Sequence, residues 1–307
     1  MDKIEIGSRG DNQPRLDFHD SLGRSMENLI RIATLGALTV LILMIMFIVK
    51  QAVACFYQLD VKCIFGLPGL IPLSGAPRYS ILLLIINSFL VGCGATVIAL
   101  FFGIITSLYI TEIASPRVAR LLWIVLKGIG AIPPVVIGFL GIVVLLKYGP
   151  QLGVSYILWF VMASLLLSLQ AYPSTVCFLT DTLRRIPASF KASSYALGAT
   201  RWQTIAHTIY PAARPGIAAA GLFVFGRVLG DTVILLMLAQ VLSRGQQESV
   251  RSFLTIPAAI ALEAPSIGPG DPQYHIFYLL GLLLTAISFG LSYFRRRLLR
   301  TQRGELE

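Results

Sequence analysis

Long apolar blocks separated by short polar stretches dominate the pattern along the chain. The block ATLGALTVLILMIMFIV at 33–49 is typical, and several blocks reach the roughly 20 residues that a helix needs to cross a hydrocarbon core. Together they predict six membrane helices, at 29–53, 80–111, 120–147, 154–180, 216–242 and 273–294. A transmembrane barrel would show alternating polar and apolar positions in segments of about ten residues; no such alternation occurs. The first block is too long for the apolar core of a secretory signal and meets no clear small-residue cleavage site, so it is expected to remain as an anchor. The expected fold class is all-α, a polytopic membrane helix bundle.

Composition agrees: of 307 residues, 56% are hydrophobic and only 13% charged, against about a quarter charged in a soluble domain. The net charge is +10. In a chain this apolar, basicity marks loops beside anionic membrane lipid rather than nucleic-acid binding. Sixteen Lys and Arg fall in the amino-terminal segment, the loops after the second and fourth helices, and the tail; only Lys62, Arg78, Arg244 and Arg251 fall opposite. That bias places both termini in the cytoplasm. The domain plan is then a cytoplasmic segment 1–28, a single membrane domain 29–294, and a basic tail 295–307. The first segment looks mobile, with DFHDSLGRSMENLIRI able to lie as an interfacial helix. FGLPGLIPLSGAP and EAPSIGPGDP read as irregular connectors.

The stretch 181–215 differs from the rest, being moderately polar and long enough for two short helices. Ser189 is the expected cap of the first and Gly198 its stop. Trp202, Ile205 and Ile209 fall at helical spacing in the second, which Pro211 and Pro215 are expected to break before the fifth span. The reading is a helix–Gly–helix elbow on the membrane surface.

Ionisable groups inside membrane helices are costly and point to function. Arg227 and Asp231 lie four apart in FVFGRVLGDTVILL, mid-bilayer and on one predicted helix face. They serve packing alone as a mutual ion pair, or they line a solute path. The second reading is favoured because a guanidinium has more donors than one carboxylate can accept, and planar donors suit tetrahedral oxyanions. Gly226 and Gly230 would let a helix or solute approach. Asp231 is then expected to compete with the anion for Arg227, keeping binding weak enough for release. Lys147 is read as snorkelling; Lys127, just before GIGAIPPVVIGF, either lines a cavity where Pro133 and Pro134 break the helix or snorkels. Cys55 and Cys63 are close enough in sequence to pair, or they pack singly; Cys93 and Cys177 lie inside apolar runs. His19, His207 and His275 are scattered and form no metal cluster, and no P-loop occurs. No cofactor is expected in this chain, and ATP with its magnesium must be bound by a partner.

The string KASSYALGATRWQTIAHTIYPAARPGI resembles the cytoplasmic coupling motif of ABC importer permeases, in which a Glu-Ala-Ala triplet precedes a Gly and a Pro follows at a fixed interval, kept here by Gly198 and Pro211. From about Ser80 onward the chain resembles the phosphate-specific permeases of this class, through NSFLVGCGATVIALFFGIITSLYITEIAS, GIGAIPPVVIGFLGI, ALGATRWQTI and GRVLGDT. The resemblance implies a type I importer fold. It also implies a second permease subunit, two ATPase subunits and a periplasmic phosphate-binding protein, in a bacterial inner membrane. It implies that the helix near Ala192–Gly198 docks on an ATPase. Phe190 and Leu197, seven apart, suit apolar anchors, and Ala192, Ser193, Ser194 and Ala196 permit close approach, with Lys191, Ala199 and Thr200 completing the segment. The family's transport-associated Arg and Glu fall at Arg227 and Asp231. Two positions depart from the pattern: Ala192 replaces the coupling Glu, and GET reads GDT. The function expected is import of inorganic phosphate as a non-enzymatic permease. The alternatives are another oxyanion (molybdate, sulfate or a phosphonate), or a membrane enzyme acting on lipid phosphates, for which no nucleophile or metal constellation is present.

Overall fold

The computed structural model describes residues 13–58, 81–152, 156–243, 254–268 and 274–306. Among them every regular element is a helix. The chain divides into two units, Met1–Gln51 and Ala52–Glu307.

The described part of the first unit is helix α1, which spans Gln13–Gln58 and runs on into the second unit. Helix starts at Gln13, so the polar stretch before the first span continues the same helix instead of forming a separate interfacial one. Pro14 sits in the first turn, where its missing N–H costs nothing, and no later proline interrupts the ladder. From Met26 to Phe47 its side chains are exposed on all sides, and most are apolar. Such a helix needs hydrocarbon or another protein around it.

The second unit begins with α2 (Ile81–Leu108), which runs on through a π turn at Tyr109–Ile113. The predicted third span is broken in two: α3 (Pro116–Gly130) and α4 (Pro134–Leu152) meet at a 79° bend. Pro133 and Pro134 supply no N–H, so α3 closes with the Ala131 N–H on Lys127 and Gly128 carbonyls and α4 starts afresh from the Pro133 carbonyl. Next come α5 (Tyr156–Arg184), α6 (Ala188–Ala196) and α7 (Arg201–Thr204), which passes through a second π turn, Ile205–Ile209, into α8 (Tyr210–Leu229). The predicted break at Pro211 and Pro215 does not occur. Pro211 falls in the first turn of α8, just after the wider π turn has absorbed the change in bonding, and the helix continues through Pro215. The predicted fifth span instead breaks later, at Gly230–Thr232, before α9 (Val233–Ser243). A short helix α10 (Ile256–Glu263) and the last helix α11 (Tyr274–Leu306) complete the unit. The basic tail is a continuation of α11. Among the described residues, five helices are long and apolar enough to cross a membrane, and the bent α3–α4 pair makes a sixth if it crosses as one.

Small residues let the spans of this unit approach closely. A Cβ on Gly103 of α2 would lie 2.8 Å from Thr175 of α5, and one on Gly94 would lie 2.6 Å from the Ser164 hydroxyl. Trp159, Leu167, Leu238, Leu254, Ile256 and Ile276 are fully buried around this contact. The strand-like approach to α10 is tied to α2 by polar bonds: Asn87 Nδ2 donates to the Leu254 carbonyl at 3.0 Å, and Ser88 Oγ accepts the Ile256 N–H at 2.9 Å. Cys55 is buried and unbridged; its predicted partner Cys63 lies outside the described residues.

Candidate functional site

Arg227 is in the last turn of α8, and Gly230 caps that helix. Asp231 therefore lies beyond the helix, and the predicted shared face does not exist. Its backbone N–H closes on the Val228 carbonyl at 3.1 Å, and its Oδ1 accepts the Ile234 N–H in the first turn of α9 at 3.2 Å. Gln170 of α5 adds a side-chain hydrogen bond to the same carboxylate. Glycine followed by Asp-Thr is a stop-and-restart signal, and here it outweighs the apolar run around it. Asp231 thus acts as a helix cap. No salt bridge of 4.0 Å or less joins Arg227 to Asp231, so the predicted close ion pair is absent, although the Arg227 charge still acts on the Asp231 carboxylate at longer range.

Arg227 is also not buried within the chain, as the mid-bilayer reading expected, but exposed at its surface. It borders a cavity of about 390 Å³ formed where the α3–α4 break faces α5. Lys127 and Trp123 of α3, Gln170, Ser174 and Cys177 of α5, and Pro134 share this lining, which holds no carboxylate among the described residues. The break packs on Pro173, whose Cβ lies 3.5 Å from where a Gly130 Cβ would sit. Of the two readings of Lys127, the structure favours the cavity. Gln170 and Ser174 went unpredicted; their signal is polarity within an apolar run beside a proline. Gly226 lies against Leu291 of α11 with room to spare, and Gly230 meets nothing but its own backbone.

The elbow is built from α6, α7 and the second π turn. Helix α6 begins after Pro187, not at a Ser189 cap. It ends as predicted: Gly198 has φ +81°, with its N–H on the Tyr195 carbonyl and the Ala199 N–H on the Ser194 carbonyl, a Schellman closure. Thr200 then opens α7 with a capping box, its hydroxyl accepting the Gln203 N–H and its own N–H donating to Gln203 Oε1. The T-x-x-Q spacing carries that signal. Ile205 and Ile209 are buried with Leu183, Ile186 and Ala213, fastening the elbow to the ends of α5 and α8. Trp202, predicted on the same face, is instead 70% exposed.

The predicted coupling residues separate into two sets. Lys191 turns inward, with Nζ 2.6 Å from Glu112 Oε1 in the first π turn; the Glu112 side chain is 7% exposed and that of Lys191 29%. The Ser194 hydroxyl pairs with that of Thr204 at 2.9 Å. Phe190, Ala192, Ser193, Ala196, Leu197 and Gly198 are exposed, and no residue of α6 is buried. Glu112 is the component the sequence did not reveal.

A bundle of apolar spans, a braced elbow with an exposed outer face, and an exposed cation beside a broken span are features that suit a membrane transport subunit. The comparisons give its family: residues 99–303 match the binding-protein-dependent transport system inner membrane component family, and the chain belongs to it. It is a multi-pass ABC importer permease and not an enzyme, which removes the lipid-phosphate enzyme reading. The probable ABC transporter permease protein YqgH of Bacillus subtilis (strain 168) is 31% identical over 71% of either chain. The phosphate transport system permease protein PstC of Mesorhizobium japonicum is 24% identical over 64% of this chain and 65% of its own. PstA 1 of Mycobacterium tuberculosis is 29% identical over 47% of this chain and 46% of its own. A crystal structure of a bacterial ABC transporter that imports the acidic polysaccharide alginate contains a chain that superposes with a TM-score of 0.57 over 89% of this chain and 99% of that one. At 16% identity the likeness is one of fold.

Proposed function

We propose that this chain carries inorganic phosphate across a bacterial inner membrane, as one of two permease subunits served by two ATPase subunits and a periplasmic phosphate-binding protein. In this reading both termini are cytoplasmic, as the distribution of basic residues suggests. The observation that carries it is Arg227: it borders a cavity with no carboxylate among its described lining residues and makes no close ion pair with Asp231, whose carboxylate accepts the Ile234 N–H. An arginine on the surface of a span cannot be left facing hydrocarbon. A second permease subunit or an aqueous path must cover it, and either brings solute within reach of its donors. Lys127 adds a second cation to the same lining. Bidentate Arg donors recognise phosphate oxygens, and a neighbouring point charge raises the local anion concentration. The phosphate permeases among the relatives support this choice of anion.

Power comes from outside the chain. ATP and magnesium are bound by the ATPase partner, which receives the exposed face of α6; Phe190 and Leu197, the latter 89% exposed, are the anchors. Motion of α6 passes to α2 through Lys191–Glu112 and to α5 and α8 through the buried Ile205–Ile209 cluster. Nucleotide shifts the inward-open and outward-open states only by its differential affinity for them. The test is radiolabelled phosphate uptake by the assembled transporter in proteoliposomes. Wild type should accumulate phosphate on ATP addition and Arg227→Ala should not; sulfate or molybdate uptake in place of phosphate would reassign the cargo, and normal uptake by the variant would refute the site.

A further inference from the structure

Arg227 borders a second space. Between α8 and α11 lies a crevice of about 210 Å³, with Gly226 and Arg227 on one wall and Ser288, Ser292 and Arg295 on the other. The last three recur at intervals of four and three, one stripe along α11. No carboxylate lines the crevice among the described residues. The Arg295 guanidinium is 5.5 Å from the centroid of the Phe223 ring, an attraction that holds it at the crevice.

Two arginines lining one small space repel each other unless an anion lies between them. The two serine hydroxyls add neutral donors, and planar donors with hydroxyls match the oxygens of a phosphoryl group. The volume is smaller than the roughly 300 Å³ at which pockets for larger organic ligands begin. A headgroup or a free anion fits; a bulky solute does not. The next two residues, Arg296 and Arg297, are exposed, so the crevice opens beside a basic cluster at the end of the last apolar run. Basic crevices of this kind, between spans and next to such clusters, collect anionic headgroups.

We propose that this crevice is a second oxyanion site, holding the phosphate group of an anionic phospholipid between Arg295 and Arg227 with Ser288 and Ser292 as hydroxyl donors. Free phosphate carries the same chemistry and is the other possible source. Because Arg227 lines both spaces, the occupant of the crevice draws on the guanidinium that faces the candidate pathway, and membrane lipid sets how much of it the pathway receives. The site requires only these residues, whatever solute the permease carries.

The test is native mass spectrometry of the intact transporter released from nanodiscs of phosphatidylcholine mixed with phosphatidylglycerol. Wild type should retain phosphatidylglycerol tightly. Arg295→Gln should lower that retention about tenfold, the loss of a charge-assisted contact, with a smaller loss for Ser288→Ala combined with Ser292→Ala and a partial one for Arg295→Lys. A parallel arm measures radiolabelled phosphate binding by equilibrium dialysis in discs of phosphatidylcholine alone. If Arg295→Gln removes phosphate binding there and leaves lipid retention intact, the lipid assignment is overturned in favour of free phosphate. If it changes neither, in a complex that Arg295→Lys shows to be assembled, the site is refuted. Neither readout requires uptake, so failure here is distinct from failure of the transport reading.

Discussion

The elbow and the cavity around Arg227 sit in one chain but treat their polar groups in opposite ways. In the elbow, polar groups find partners inside the protein: Lys191 with Glu112, Ser194 with Thr204, and Thr200 with Gln203 in both directions. The outer face of α6 carries mainly small and apolar side chains, Ala192, Ser193, Ala196 and Leu197 among them. Around Arg227, Asp231 accepts the Ile234 N–H and meets the Arg227 charge without a close ion pair, and Arg227 and Lys127 line a cavity with no carboxylate among its described residues. A part that transmits motion gains from internal bonds that stop it deforming. A part that handles a hydrated solute needs donors left over. The contrast separates a mechanical region from a binding region within a single fold.

Predictions follow the strength of that contrast. Arg227→Ala should reduce phosphate uptake by roughly a hundredfold or more, since a charge-assisted bidentate contact is lost where no other group replaces it, while ATP hydrolysis by the complex persists. Arg227→Lys should recover only part of the uptake, because a point charge lacks the fork. Lys191→Met leaves Glu112 buried without a partner. A cost of about 2 kcal/mol or more is expected, below the range for fully buried pairs because Lys191 is partly solvated. It should appear as a lower unfolding temperature and as ATP hydrolysis that no longer answers to the binding protein; exchanging the two residues (Lys191→Glu with Glu112→Lys) should restore some of each. If the exchange restores nothing and the single change is silent, the elbow is not braced by this pair. Lys127→Ala should raise the half-saturating phosphate concentration several-fold with little effect on the maximal rate, as expected for a steering charge. The smallest effect belongs to Thr200→Val, which removes the hydroxyl half of a capping box for about 1 kcal/mol, measured by thermal unfolding of the detergent-solubilised protein.

Much of this was readable from residues alone, and the exceptions share a cause. Apolar blocks located the spans because hydrocarbon permits few alternatives to a helix. Gly198 marked the end of α6 because positive φ is cheap only for glycine. Arg227 stood out because charge is expensive where it lies. Misreadings came where two local signals compete. The run FVFGRVLGDTVILL is apolar enough for one span, yet Gly230 and Asp231 stop one helix and cap the next. Pro211 and Pro215 look like breakers, yet a preceding π turn leaves Pro211 where a helix tolerates it. Glu112 and Lys191 are 79 residues apart, and no local pattern announces a contact set by tertiary packing. The same holds for the meeting of Lys127, Gln170 and Arg227, which come from three helices.

The cavity can be probed through a residue that already lines it. With Cys55, Cys63 and Cys93 replaced by Ser, Cys177 becomes the single thiol, and it borders the cavity that Arg227 faces. In the assembled transporter, an anionic methanethiosulfonate should modify Cys177 about tenfold faster than a cationic one of similar size. Phosphate should slow that reaction, and Arg227→Gln should abolish the preference for the anion. Equal rates for the two reagents, with no protection by phosphate, would contradict an anion-attracting cavity at Arg227.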